Sequence, residues 1–325
     1  MKLNKSTSYV LIALLRGNTT SATIHAFLQN VELRTIQRAL SRLLELELVT
    51  QTGPSNDPMY SVNYPALVTT DVPEKIITDE ERPESIFNYE LLDWLENTTV
   101  ETLPSLFDSS IEPAEELSPR DIEHLTVELS WKSSALEGNT YSLLDTQLLL
   151  TEGIKPKNRT EFETQMILNH KDAIAFILEH KELFSKDISF ASIEELHRII
   201  GRNLGIDSGV RNRMVRITAS NYTPPETPAK IRESADRILA IINGQTNPYI
   251  KALLALSLIP YLQIFEDGNK RTGRMLANAI LIATVNRGFS LRGVDARDLA
   301  LAYLAFYEFN SMRLLDAILR REIVK

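Results

Sequence analysis

Apolar positions recur along this chain at the spacing of helices for most of its length. In the first fifty residues the pattern predicts three of them. Ser8–Leu15 is apolar at most positions, Ser21 stands where it can cap a second helix through Leu28, and a third runs from about Glu32 to Leu48. Leu33, Ile36, Leu40, Leu43 and Leu44 supply the third with its apolar stripe. Two β-capable runs follow, Leu48–Thr52 and Met59–Val62, on either side of the turn signal GPSNDP. Residues 65–117 are rich in Pro, Glu, Thr and Ser and read as a linker with one short helix, Ile86–Leu95. From Ser118, a cap followed by Pro119 at the first helical position, helical patterns dominate. They are expected at Leu143–Thr151, Arg159–Glu179, Ser192–Arg202, Pro228–Asn243, Tyr249–Phe265, Thr272–Arg287, Asp295–Asn310 and Arg313–Arg321. The one β-like break is MVRITASNYTPP, with Val215 and Ile217 alternating. This is the pattern of a mainly α protein, divided as 1–64, 65–117 and 118–325.

Composition narrows the function. A length of 325 residues suits about two domains, and 43% hydrophobic residues exclude a mainly disordered chain. The absence of Cys excludes disulfide frameworks, thiolate zinc sites, iron–sulfur clusters and cysteine nucleophiles. Val10–Leu15 is much too short to span a bilayer and no small-residue cleavage site follows, so a soluble cytoplasmic protein with no membrane partner is expected.

Net charge is −8, unevenly spread: residues 1–50 carry six bases and three acids, residues 71–121 fifteen acids and three bases. The chain as a whole is therefore no polycation for coating nucleic acid, although its head is basic. That head, helix–helix–helix–hairpin, resembles a winged helix-turn-helix. Arg34, Arg38 and Arg42 lie four residues apart on one face of its third helix, near Thr35, Gln37 and Ser41. Such a face suits DNA contacts through residues 1–64, and it equally suits a solvated helix or a protein-docking module.

Candidate chemistry concentrates in IPYLQIFEDGNKRTGRMLANAIL, residues 259–281. Two apolar helices flank Glu266-Asp267-Gly268-Asn269-Lys270-Arg271. Gly268 permits a backbone nest of inward amides, and the second helix turns its positive dipole end to the same place. Lys270, Arg271 and Arg274 add cations, and Asp267 can hold Mg²⁺ against phosphate. These are the parts a Mg-nucleotide polyphosphate needs, without the spacing of a Walker A loop. An ordinary loop with solvated or paired cations is the alternative.

This segment resembles the signature of the Fic-fold proteins, H-x-F-x-[D/E]-G-N-[G/K]-R-x-x-R, which Phe265, Asp267, Gly268, Asn269, Lys270, Arg271 and Arg274 match in place. Ser133-Ser134-Ala135-Leu136-Glu137-Gly138 is similar to that family's inhibitory motif, [S/T]-x-x-x-E-[G/N], here ahead of the core. Gly209–Pro225, with Arg211, Val215 and Ile217, resembles the β-hairpin flap that pins a target peptide. The resemblance covers roughly residues 118–325 and implies a Fic-type helical core with a small hairpin flap and an inhibitory helix at about 118–137. It implies Mg²⁺ on Asp267, ATP phosphates on Gly268, Asn269, Lys270, Arg271 and Arg274, and AMP transfer to a hydroxyl of a target protein. Glu137, with Ser133, would pair with Arg274 and displace the γ-phosphate, which is how an autoinhibited enzyme is built.

One departure cuts against catalysis. The motif's His, the general base, is Gln263 here, and an amide cannot take a proton near neutral pH. Gln263 is either a decayed catalytic position or a group orienting a hydroxyl or water. Two functions are thus expected in competition: a weakened adenylyltransferase, or a catalytically inactive nucleotide-sensing, DNA-binding regulator, with a homodimer open in either case. The buried-looking His170 and His197 are expected to be hydrogen-bonded core residues.

Overall fold

The structure, a computed structural model, describes residues 3–323. In chain order it runs α1 (Lys5–Leu15), α2 (Ser21–Phe27), α3 (Leu33–Glu45), β1 (Val49–Thr52), β2 (Met59–Val62), α4 (Tyr64–Val68), α5 (Glu74–Ile77), β3 (Ser85–Ile86) and α6 (Tyr89–Asn97). Then come α7 (Thr102–Leu106), α8 (Pro119–Ala135), α9 (Leu143–Glu152), α10 (Glu161–Glu179), α11 (Glu182–Ser185), α12 (Phe190–Gly201) and β4 (Tyr222–Thr223). The order closes with α13 (Pro228–Gly244), α14 (Pro248–Leu262), α15 (Asn269–Val285), α16 (Ala296–Phe309) and α17 (Arg313–Ile323). A mainly helical chain is what the apolar spacing predicted. Among the described residues no helix is long and apolar enough to cross a membrane.

The chain forms two compact units. One gathers the described residues up to Thr98 with Val215–Pro225 and Arg297–Leu315. The other gathers Thr99–Met214, Glu226–Ala296 and the described residues from Asp316.

In the first unit, three helices and an antiparallel hairpin follow in the expected order, with Val49 opposite Val62. Helix α2 starts as expected, but its cap is Thr20 rather than Ser21. The Thr20 hydroxyl accepts from the Thr23 amide and the Thr23 side chain answers at the Thr20 backbone, a reciprocal pair that Ser21 one residue later could not close. On α3, Ile36, Ala39, Leu40 and Leu43 are buried, which leaves the arginine face outward. Residues 64–98 hold three helices, where a linker with one short helix was expected, and α6 is that one. Leu91, Leu92 and Leu95 of α6 are buried there, because their spacing lines one face of a helix.

The expected flap hairpin over Gly209–Pro225 is absent. Within the first unit its strand-forming part is reduced to Tyr222–Thr223, paired in parallel with Ser85–Ile86. Val215 and Ile217 lie in extended chain outside any strand. A turn from Ile217 to Ser220 and the left-handed Ala219 interrupt the alternation, and Pro224-Pro225 ends it. Buried groups bind this segment instead: Arg82 pairs with Glu308, which also accepts from the Ser220 hydroxyl at 2.7 Å and the Asn221 amide at 3.1 Å.

The second unit is built around α14 and α15. Every residue of α14 from Tyr249 to Leu262 is buried, as is nearly all of α15, so this antiparallel pair is buried all round, as helices enclosed by others are. Gly273 lets them approach: a Cβ there would sit 2.9 Å from the Pro260 ring. Helix α8 begins at the expected Ser118 cap, in a reciprocal pair with Asp121, with Pro119 at its first position.

Candidate nucleotide-binding site

Helix α14 ends three residues earlier than the apolar pattern suggests, and α15 starts three earlier. The intervening turn is therefore only residues 263–268. Gln263 stops α14 by entering the left-handed region at φ 53°, where the helix cannot continue. Gly268, at φ 81°, opens α15. Having no side chain, Gly268 cannot cap the helix, so the first-turn amides and the positive dipole end are presented without a cap hydrogen bond.

Asn269 pins the turn. Its Oδ1 accepts from the Phe265 amide at 3.0 Å, and its Nδ2 donates to the Phe265 carbonyl at 2.8 Å and to Gln263 Oε1 at 3.2 Å. Gln263 in turn donates from Nε2 to the Pro260 carbonyl at 2.6 Å, one of the carbonyls that a helix end leaves unmet. Both ends of the Gln263 amide are thus committed to holding the turn. This accounts for a glutamine here without a chemical role.

Cations line the start of α15. Arg271 is buried at 3% exposure; Nη2 donates to Asp267 Oδ2 at 2.9 Å, while Nε and Nη1 have no partner. Buried guanidinium hydrogens without acceptors are costly, and an anion such as phosphate would satisfy them. Asp267 also accepts from the Gly268 amide through Oδ1 at 2.6 Å, with its side chain mostly exposed. No cluster of three or more potential metal ligands occurs among the described residues. One exposed carboxylate is nonetheless the donor set that Mg²⁺ uses when phosphates and water complete its shell. Lys270 is half-exposed on the same turn, and Glu266 lies 3.8 Å from Arg213.

One turn beyond Arg271, Arg274 is buried and points to α8. Its Nη2 donates to Glu137 Oε1 at 2.7 Å and to the Ser133 carbonyl at 3.1 Å, and its Nε donates to Ser133 Oγ at 3.0 Å. The sequence-predicted Ser133, Glu137 and Arg274 therefore meet across more than 130 positions of chain.

Arg211 has a different place from the one expected. It is buried at 2% exposure, and Nε donates to the Gln263 carbonyl at 2.6 Å while its amide donates to the Ile264 carbonyl at 3.0 Å. A guanidinium sunk at the turn braces it, Nε on the Gln263 carbonyl and Nη1 on the Arg213 carbonyl at 2.8 Å. Val215 and Ile217 belong to the other unit.

Sequence reasoning placed His197 in the core and missed its partner. The ring stacks on Phe265 with centroids 3.6 Å apart, and Nε2 lies 2.9 Å from the Asp267 carbonyl. A carbonyl only accepts, so Nε2 carries the proton and His197 holds the turn from below. Burial pushes its pKa below the ordinary value, and Arg271 pushes the same way against the pull of the Asp267 carbonyl. Seventy residues separate His197 from Asp267, a distance no local pattern reports.

Residues 187–281 match the Fic/DOC family. A protein adenylyltransferase Fic of Nematostella vectensis is 27% identical over 156 residues, 47% of this chain and 36% of that protein. The protein adenylyltransferase fic-1 of Caenorhabditis elegans is 29% identical over 156 residues, 46% of this chain and 30% of that protein. The chain thus spans about a third of the length of these curated relatives. Among solved structures, Fic-1 from C. elegans aligns over 89% of this chain and 83% of that one, with a TM-score of 0.52 and 20% identity. A Fic family protein from Desulfovibrio desulfuricans aligns over 63% and 65%, with a TM-score of 0.51 and 18% identity. At these identities the structural likeness bears on fold alone.

Proposed function

We propose that this chain, whose residues 187–281 match the Fic/DOC family, binds ATP with Mg²⁺ at the turn 263–268 and is an adenylyltransferase held off by its own Glu137. The observation that carries the reading is Arg271, buried with two unmet donors at the uncapped start of α15, while Arg274 one turn on is tied to Glu137. Phosphates would lie on the amides of the Gly268 turn and on Arg271, with Asn269 fixing the turn and Lys270 at its edge. The γ-phosphate would need Arg274, which Glu137 and Ser133 hold on α8. Asp267 would hold Mg²⁺, which supplies charge neutralisation on the polyphosphate when bound.

AMP transfer forms a bond from a protein hydroxyl oxygen to the α-phosphorus. The bond from that phosphorus to the bridging oxygen breaks, and pyrophosphate leaves. The hydroxyl proton must go to a base. Gln263 cannot take it, and its amide is already engaged at both ends. Water or a phosphate oxygen then accepts the proton, at a cost of about 10²- to 10⁴-fold in rate.

The same missing base supports a second reading, a nucleotide sensor with a DNA-binding head of winged helix-turn-helix type. Helix α3 exposes Arg34, Gln37, Arg38 and Ser41, while Arg42 is drawn to Glu45 at 2.6 Å. Mass spectrometry after incubation with labelled ATP separates the readings. Glu137→Gly is expected to place AMP on a hydroxyl of itself or of a lysate protein. Labelling only when Gln263→His is added would favour the sensor, and none in either variant would overturn the enzyme reading.

A further inference from the structure

His170 lies on α10, fully buried, with its ring between its own helix and α8. Nδ1 is 2.8 Å from the Met166 carbonyl, one turn back on the same helix. Because a carbonyl oxygen has only lone pairs to offer, Nδ1 must carry a hydrogen. The other nitrogen, Nε2, is 2.9 Å from Ser133 Oγ. Burial pushes the ring's pKa down to about 3, with Arg271 and Arg274 pushing the same way against the Met166 carbonyl. The ring is therefore neutral at ordinary pH, and Nε2 is a bare acceptor.

A serine hydroxyl has one hydrogen to give. With Nε2 as acceptor, the Ser133 hydrogen goes to His170, and the lone pairs of Oγ face Arg274 Nε at 3.0 Å. The opposite tautomer would put two lone pairs against each other at Met166. Every link therefore has one polarity: Arg274 donates to Ser133, Ser133 to His170, and His170 to Met166. Were His170 unable to accept, the Ser133 hydroxyl could turn its hydrogen toward the guanidinium, and the Nε contact would become repulsive. Glu137 would then hold Arg274 with one contact fewer.

We infer that His170 is a positioning residue for the inhibitory contact, fixing the Ser133 hydroxyl so that Arg274 is held toward Glu137 and away from the γ-phosphate. The inference rests on the autoinhibited nucleotide site proposed above and names the residue behind it. Its signature is the ratio of ADP to ATP dissociation constants, because only ATP has the phosphate that needs Arg274. Removing one hydrogen bond to a charged group is expected to raise that ratio by at least about tenfold.

The test is calorimetric titration of Mg-ATP and Mg-ADP into the full chain and into Glu137→Gly, His170→Phe, His170→Gln, Ser133→Ala and the Ser133→Ala/His170→Phe pair. The ratio is expected to rise in His170→Phe and Ser133→Ala. It should return toward wild type in His170→Gln, whose amide oxygen can accept the Ser133 hydrogen, and rise no further in the double variant. Imidazole ¹⁵N shifts of the wild-type chain should place the His170 proton on Nδ1, a readout independent of whether any variant folds. A proton on Nε2 overturns the inference. So does an unchanged ratio in His170→Phe or Ser133→Ala alongside a raised one in Glu137→Gly. A ratio that Glu137→Gly itself leaves unchanged overturns the autoinhibited reading, and His170 falls with it.

Discussion

Replacing Gln263 with His tests both what the glutamine does and what the site lacks. The substitution removes the 2.6 Å bond to the Pro260 carbonyl and the 3.2 Å bond from Asn269. At about 1 kcal/mol for each bond, the folded state should lose about 2 kcal/mol. For a unit of this size that lowers the melting temperature by roughly 4–8 °C. The backbone itself should tolerate the change, since His is among the residues that enter the left-handed region most readily. In exchange the turn gains a group with a pKa near neutrality, where a base contributes about 10²- to 10⁴-fold. The assay is the rate of AMP incorporation from labelled ATP, measured in a Glu137→Gly background so that Arg274 is released. A Gln263→His/Glu137→Gly chain is expected to label at least 100-fold faster than Glu137→Gly alone, taking about the lower bound for a base. Equal rates, with the double variant folded and binding ATP, would refute the idea that the missing imidazole limits the reaction.

Three further outcomes follow from single contacts. Gly268→Ala should cost about 1–2 kcal/mol from the left-handed backbone and should weaken Mg-ATP binding by calorimetry, since the new Cβ would press on His197 at 3.3 Å. Stability should fall on acidification. His170 has a folded pKa of about 3 against an ordinary 6.5, so its contribution is complete above about pH 6.5 and is lost as pH drops toward 3. Unfolding free energies from urea titrations at pH 7 and pH 5 should therefore differ by about 2 kcal/mol from this residue, at about 1.4 kcal/mol per pH unit, with His197 adding in the same sense; His170→Gln should flatten the slope. Arg38→Ala should weaken any salt-dependent DNA binding by the head in a fluorescence titration, and a wild-type chain with no DNA affinity at low salt would remove the regulator reading.

Much of the site could be read along the chain because its parts are local. Gly268, Asn269, Arg271 and Arg274 sit within seven consecutive positions, and their order alone encodes an uncapped helix start with cations on its first turns. Glu137 was legible only through its motif, since nothing in periodicity says that α8 meets Arg274. What escaped was support from afar. Arg211 was expected in a flap, yet its hydrogens go to the Gln263 carbonyl, because a buried guanidinium needs the backbone acceptors that a helix end leaves unmet. His170 and His197 looked alike as apolar-face histidines, and only their partners, the Met166 carbonyl at Nδ1 of one and the Asp267 carbonyl at Nε2 of the other, distinguish their tautomers. The alternation at Val215 and Ile217 suggested a hairpin, but alternation records which side faces inward, not whether a second strand is present.

The account stands most directly on Mg-ATP titrated calorimetrically into the wild-type chain and into Arg271→Ala. Saturable heat in the first and none in the second is the expected result, since the phosphates would lose the buried guanidinium whose unmet donors bind them. Equal affinity in the two, or no binding by the wild-type chain and by Glu137→Gly alike, would contradict it.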